Sequence, residues 1–140
     1  MTDAHTTMLR LAARRVSQLR FDHAFGLEFH EDGNGFSLRI GVPFTMTIGD
    51  ASFSYDPERC VECGPLLALL HTRVVSATAG STGRLDIVLT DDRSLHVEPH
   101  PRFEAWELVG GDGTRVISVP GGGLATWNAH RSKDDDAALS

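Results

Sequence analysis

Leu19-Arg20-Phe21-Asp22-His23-Ala24-Phe25-Gly26-Leu27-Glu28-Phe29 is the stretch that decides the fold. Leu19, Phe21, His23, Phe25, Leu27 and Phe29 take every odd position, while Arg20, Asp22 and Glu28 hold even ones. Side chains alternate across a strand with a period of two, so the spacing predicts a half-buried strand, or two strands meeting at Gly26. Glu31-Asp32-Gly33-Asn34-Gly35 follows, with residues that tolerate positive φ, and reads as a hairpin turn. The return strand alternates on even positions through Phe36, Leu38, Ile40 and Val42. Pro43 has no N–H to give a ladder and marks an edge, a bulge or a break. The alternation resumes at Phe44, Met46 and Ile48, and a third short strand holds Phe53 and Tyr55.

Outward from this hairpin the period changes. Met8, Ala12, Val16 and Leu19 fall on one helical face, with Arg10, Arg14 and Gln18 opposite. Residues 5–16 are therefore expected to form a short amphipathic helix, started by Thr6 or Thr7 as a cap. Asp56-Pro57-Glu58 has the form of an N-cap followed by proline at the first helical position. Gly64-Pro65 interrupts that turn, and Pro65 starts a better helix through Leu66, Leu67, Leu69 and Leu70. Strands are expected at residues 72–79, at Leu85, Ile87 and Leu89, and at Leu95 and Val97 beyond a turn at Asp91-Asp92-Arg93. Residues 103–109 and 115–119 flank a turn at Gly110-Gly111-Asp112-Gly113, and residues 124–127 close the sheet. The expected class is α+β: a mainly antiparallel sheet of about seven to nine short strands, with an N-terminal helix and one mid-chain helix packed on it. Residues 1–127 would form the single domain, and the polar residues 128–140 a disordered tail.

The totals fit one core in 140 residues. Thirteen Lys plus Arg against nineteen Asp plus Glu leave a net charge of −6. An acidic chain repels a phosphate backbone, so nucleic acid is not the expected partner. The basic face of Arg10 and Arg14 is read as solvated rather than as a membrane contact. No apolar run reaches the ~20 residues that span a bilayer, and the first residues lack the apolar core of a secretory signal. Two cysteines are too few for a secreted disulfide scaffold. The expected setting is the cytoplasm.

Three groups of residues carry candidate chemistry. Cys60-Val61-Glu62-Cys63 has the spacing of a zinc half-site or a redox pair. A structural zinc needs four ligands; His71 is the nearest histidine, and a second one or a second subunit would have to complete the set. His96, Glu98 and His100 stand at alternate positions, a pattern that on one strand face could ligate a transition metal. Pro99 is expected to end that strand and swing His100 away. His23, among apolar neighbours, reads as a hydrogen-bonded core residue. No serine lies in a Gly-x-Ser-x-Gly elbow, and Gly121-Gly122-Gly123 lacks the lysine and serine of a phosphate loop.

Phe103-Glu104-Ala105-Trp106-Glu107-Leu108, followed by Pro120-Gly121-Gly122-Gly123-Leu124-Ala125-Thr126-Trp127, resembles the closing signature of a family of small, mostly actinobacterial proteins of unknown function. Gly83-Arg84-Leu85-Asp86-Ile87-Val88-Leu89 and Ser94-Leu95-His96-Val97-Glu98-Pro99 fit it too, so the resemblance covers about residues 20–127. Where that family has an aspartate-glycine turn this chain has Asp92-Arg93, a departure that bears on the turn type and not on the hairpin. The resemblance implies an α+β domain in a bacterial cytoplasm and supplies no activity. A place beside toxin or contact-dependent systems is an analogy only. Read from the residues alone, Trp106 is an anchor of the core. The alternative is a ligand or partner surface made of Glu104, Trp106, Gly121, Gly122 and Trp127.

These readings lead to a non-enzymatic module that binds a protein partner or itself, through edge strands able to pair across a dimer. An immunity-like role would use the acidic surface against a basic toxin. The competing expectation is a small metal- or thiol-dependent enzyme or sensor using Cys60 and Cys63, or His96, Glu98 and His100, with zinc as the metal.

Overall fold

Strand pairing, not helix, claims the start of the chain. The computed structural model describes residues 7–31 and 34–127. In it β1 (Thr7–Met8) lies antiparallel to β7 (Val74–Ala79), with Thr7 opposite Ala79 and Met8 opposite Thr78. The Leu9 N–H donates to the Ala77 carbonyl at 2.9 Å and the Ala13 N–H to Val74 at 2.8 Å. Ala13 then adopts a left-handed φ of 70°, and the chain turns into β2 (Arg15–Asp22). The inward residues are Leu9, Leu11 and Val16, whereas Met8 is 68% exposed. The expected N-terminal helix is therefore absent from the described residues. A helix this short carries a nucleation cost that it cannot recover alone. Pairing with β7 satisfies the same backbone groups and also buries Leu9 and Leu11. Thr6, one of the two expected caps, lies outside the described residues, and Thr7 opens β1.

The alternation that begins at Leu19 spans two strands. β2 pairs with β3 (Ala24–Glu31) in a register that sets Phe21 opposite Phe25 and Leu19 opposite Leu27. Odd residues thus face odd residues, which is why one period runs unbroken across the turn. The strands meet at His23, not at Gly26. Gly26 sits mid-strand between Arg20 and Arg39. His23 is exposed at the hairpin tip, a correction to its expected place in the core. β4 (Asn34–Ile40) returns with Phe29 opposite Phe36, Leu27 opposite Leu38 and Glu31 opposite Asn34. Asp32 and Gly33 of the expected turn fall outside the described residues.

Gly41 to Pro43 is a break between sheets. Gly41 donates its N–H to Ala105 at 3.0 Å. Val42, Phe44 and Met46 keep the inward parity, but β5 (Phe44–Ile48) belongs to the second sheet and pairs with β6 (Ala51–Tyr55). The remaining strands are β8 (Leu85–Leu89), β9 (Arg93–Val97), β10 (Trp106–Gly110), β11 (Arg115–Ser118) and β12 (Leu124–Trp127). They complete two six-stranded antiparallel sheets, in the orders β1-β7-β8-β9-β5-β6 and β12-β11-β10-β4-β3-β2. Inward residues of both sheets form one core, so the architecture is a β-sandwich. The expected α+β class gives way to a mostly-β one, with twelve described strands in place of seven to nine. Between Asp91 and Asp92, both with left-handed φ of 64° and 62°, the β8–β9 turn uses two aspartates where glycine is usual.

The mid-chain helix is real but is a 3₁₀ helix, Cys60–Leu69, with Pro65 inside it rather than at its start. Its buried residues are Cys63, Leu66 and Leu69. A spacing of three matches the three residues per turn of a 3₁₀ helix and leaves Leu67 exposed. Pro65 brings no N–H, so the helical ladder lacks one bond at that position. The helix packs on β2, and the Thr72 hydroxyl closes its end by donating to Leu69 at 2.6 Å. Among the described residues no helix is long and apolar enough to cross a membrane.

Candidate functional site

The residues of the closing signature build a clamp. Trp106 is 1% exposed, and its indole N–H donates to the Gly83 carbonyl at 2.8 Å. The buried Ser118 hydroxyl donates to the same oxygen at 2.9 Å. Gly123 donates its N–H to Thr82 at 2.8 Å, and Gly121 to His100 at 2.9 Å. Three loops are thereby tied together: β7 to β8, β9 to β10, and β11 to β12. Gly121, Gly122 and Gly123 all have left-handed φ, which explains three glycines in a row at this turn. Trp127 is elsewhere, 44% exposed on β12, with the Arg115 guanidinium 5.3 Å from its ring. Glu104 is exposed in the loop before β10. Of the five residues expected as one ligand surface, Trp106, Gly121 and Gly122 belong to the clamp, whereas Glu104 lies in the exposed loop before β10 and Trp127 on the edge strand β12.

The metal candidates are likewise not brought together. Among the described residues, no three His, Cys, Asp or Glu side chains are placed to hold an ion. Cys60 is exposed and Cys63 buried, with the Cys63 thiol donating to the Asp56 carbonyl at 3.4 Å. Burial, reinforced by Cys60, Asp56 and Glu62, pushes the Cys63 thiol above its ordinary range, opposite to what a nucleophilic thiol needs. His71 follows the helix with a left-handed φ of 73°. Its backbone N–H bonds to Val16 at 2.8 Å. His100 leaves the strand, as Pro99 implied. Its Nδ1 accepts the N–H groups of Arg102 at 3.0 Å and Phe103 at 3.3 Å, and its ring lies 4.9 Å from Phe103.

His96 and Glu98 instead join a charged chain that sequence reading missed. β8 pairs with β9 so that Asp86 faces His96, with Nδ1 and Oδ1 2.7 Å apart. The Arg84 Nε donates to both Asp86 oxygens, at 3.1 and 2.9 Å, and its Nη1 bonds to Glu98. Burial works to raise the Asp86 carboxyl, but the bonds from Arg84 and His96 outweigh it and hold the group below its usual value. A carboxylate depressed in the fold stabilises above its unfolded pKa, about 3.9, and loses that contribution as pH falls through the folded value. Asp86→Asn should therefore lower the urea midpoint at pH 7, and the gap from wild type should narrow below about pH 4. A gap that is independent of pH would show that the chain of charges adds nothing. Alternating polar residues on two strands were visible in the sequence; the register that joins them was not.

The sheet edges are the remaining places where the fold offers unused bonding groups. β1 has two residues. β2 carries exposed Arg15, Arg20 and Asp22, has a bulge between Val16 and Gln18, and lies under the 3₁₀ helix. β12 has four residues and faces β1 across a cleft of about 140 Å³ lined by Thr7, Met8, Leu108, Val116 and Thr126. β6 differs from all of these. It has five residues, Ala51-Ser52-Phe53-Ser54-Tyr55, without charge, proline or bulge. Ala51 to Ser54 are exposed, and β5 is its one described neighbour in the sheet. Phe53 pairs with buried Met46 and so points to the core side, yet is 44% exposed. The sandwich stops there with its apolar layer unfinished.

The fold defines the class of the protein, a two-sheet antiparallel β-sandwich. Within that class, residues 7–128 match the family of unknown function DUF6188, and the chain belongs to it. No curated protein and no solved structure matches the chain.

Proposed function

We propose that the chain is a non-enzymatic protein-binding module that takes a strand of a partner onto the free edge of β6. One observation carries this reading: among the described residues β6 is an edge strand without charge, proline or bulge within its span, and its Phe53 lies half-exposed on the core side. An incoming strand would satisfy the outward backbone groups and cover that ring. Main-chain bonds supply affinity in such complexes, and alternate side chains supply specificity. The acidic balance of −6 argues for a protein partner over nucleic acid or an anionic membrane. The setting fits a bacterial cytoplasm, of the actinobacterial kind the closing signature resembles, where an immunity-like protein would meet a basic toxin. The metal- or thiol-dependent alternative has no comparable support, because among the described residues no three candidate ligands are placed to hold an ion, and Cys63 is buried.

Phe53→Lys puts an inward-pointing charge on the edge, a common natural block to pairing. Peptides selected on the immobilised wild-type chain should be extended and uncharged over about five residues, and Phe53→Lys should lose their capture. Val61→Lys, on the exposed face of the 3₁₀ helix, should keep it. Capture that survives Phe53→Lys would rule out β6 as the site.

A further inference from the structure

We infer that the strand taken up by β6 is uncharged at its centre and basic at both ends, and is not a second copy of β6; this rests on β6 being a strand acceptor. Asp50 precedes β6 directly, and Asp56 follows it, with Glu58 two residues beyond. Asp50 and Glu58 are exposed, and Asp56 spends one carboxylate oxygen on the Glu58 N–H at 3.0 Å, which leaves the other available. Beside Asp56 lies an open dish of about 450 Å³ lined by Pro43, Ser54, Tyr55, Asp56, Arg59 and Glu62. Arg59 there faces Glu62 at 3.5 Å, so the dish keeps a net negative charge and room for a long cationic side chain.

Self-pairing fails on the same geometry. Two β6 strands in full antiparallel overlap set Phe53 against Phe53 and, at both ends, Asp50 of one copy against Asp56 of the other. Like charges directly opposite destabilise a pair, and each chain's −6 adds to the repulsion. A slip of one residue reverses the facing of every side chain, and a slip of two leaves three of the five pairs. A foreign strand with lysine or arginine opposite Asp50 and Asp56 turns both repulsions into attractions. An apolar residue opposite Phe53 completes the core side, and small or hydroxyl residues suit Ser52 and Ser54.

Three labelled peptides share an alternating threonine-valine centre and differ only in flanks of lysine, glutamine or glutamate. Fluorescence anisotropy against the full chain should rank them lysine, glutamine, glutamate, with about tenfold between the extremes at low salt and a smaller span at ~0.3 M. Asp50→Asn, which leaves the turn at Asp56 intact, should shrink that span several-fold without changing affinity for the glutamine peptide. Equal binding of all three peptides, lost in Phe53→Lys, would overturn the charge inference and leave the strand-acceptor reading standing. Failure of all three would overturn both. Sedimentation of the wild-type chain should show monomer at ~100 μM; a dimer that Phe53→Lys dissociates would assign the edge to a second copy.

Discussion

Trp106→Ala should cost about 3–5 kcal/mol, enough to bring the domain close to unfolding at room temperature. Trp106 is among the largest fully buried side chains of the core, so its removal leaves a cavity between the sheets. It also removes the indole N–H that holds the Gly83 carbonyl at 2.8 Å. Trp106→Phe separates the two effects. It keeps most of the ring and loses only the hydrogen bond, while Ser118 still donates to Gly83 at 2.9 Å. Its cost should be nearer about 1–2 kcal/mol. Urea titrations of both variants measure the difference. Near-wild-type stability in Trp106→Ala would place this residue on a surface after all and return it to the list of ligand-binding candidates.

Gly83→Ala should be nearly as damaging, by about 2–5 kcal/mol, although it adds a single methyl group. Gly83 has a φ of 101°, a conformation that L side chains rarely adopt. A Cβ there would stand 2.8 Å from the Ser118 hydroxyl, 3.0 Å from the Gly123 carbonyl and 3.2 Å from the Pro99 Cβ. Ser118 can rotate away only by giving up its bond to Gly83, and the Gly123 carbonyl is backbone. All three loops of the clamp would have to shift. Gly121→Ala is the control: it meets no atom within 4 Å, so it pays for its φ of 83° alone and should cost about 1–2 kcal/mol. Equal losses at the two positions would show that crowding at the clamp contributes nothing.

Much of the sandwich was legible because parity survives its turns. The β2–β3 pair joins odd to odd residues, β3–β4 joins odd to even, and Gly41 to Pro43 passes the even set to the other sheet. What failed was the start of the chain, where two patterns compete. Met8, Ala12 and Val16 fit a helix, whereas Leu9 and Leu11 fit a strand edge, and the deciding partner, β7, lies more than sixty residues downstream. The 3₁₀ helix was half-read. Leucines after Pro65 announced a helix, but the three-residue spacing of Cys63, Leu66 and Leu69 was the informative signal. His96 and Glu98 stand at metal-ligand spacing in the sequence, and the register of β8 against β9 gives them to Asp86 and Arg84 instead. The exposed edge was the least legible feature. Phe53 and Tyr55 mark a strand in any reading, but being last in a sheet depends on strand order, which local sequence does not encode.

Amide-by-amide hydrogen exchange across Ala51 to Tyr55 in the free chain asks whether β6 has a vacant side. Every second amide there should exchange fast, while the amides of β8, flanked by strands on both sides, should all be slow. Uniform slow exchange along β6 at a concentration where the chain is monomeric would mean that its outer bonds are already made, and that no partner strand can be received there.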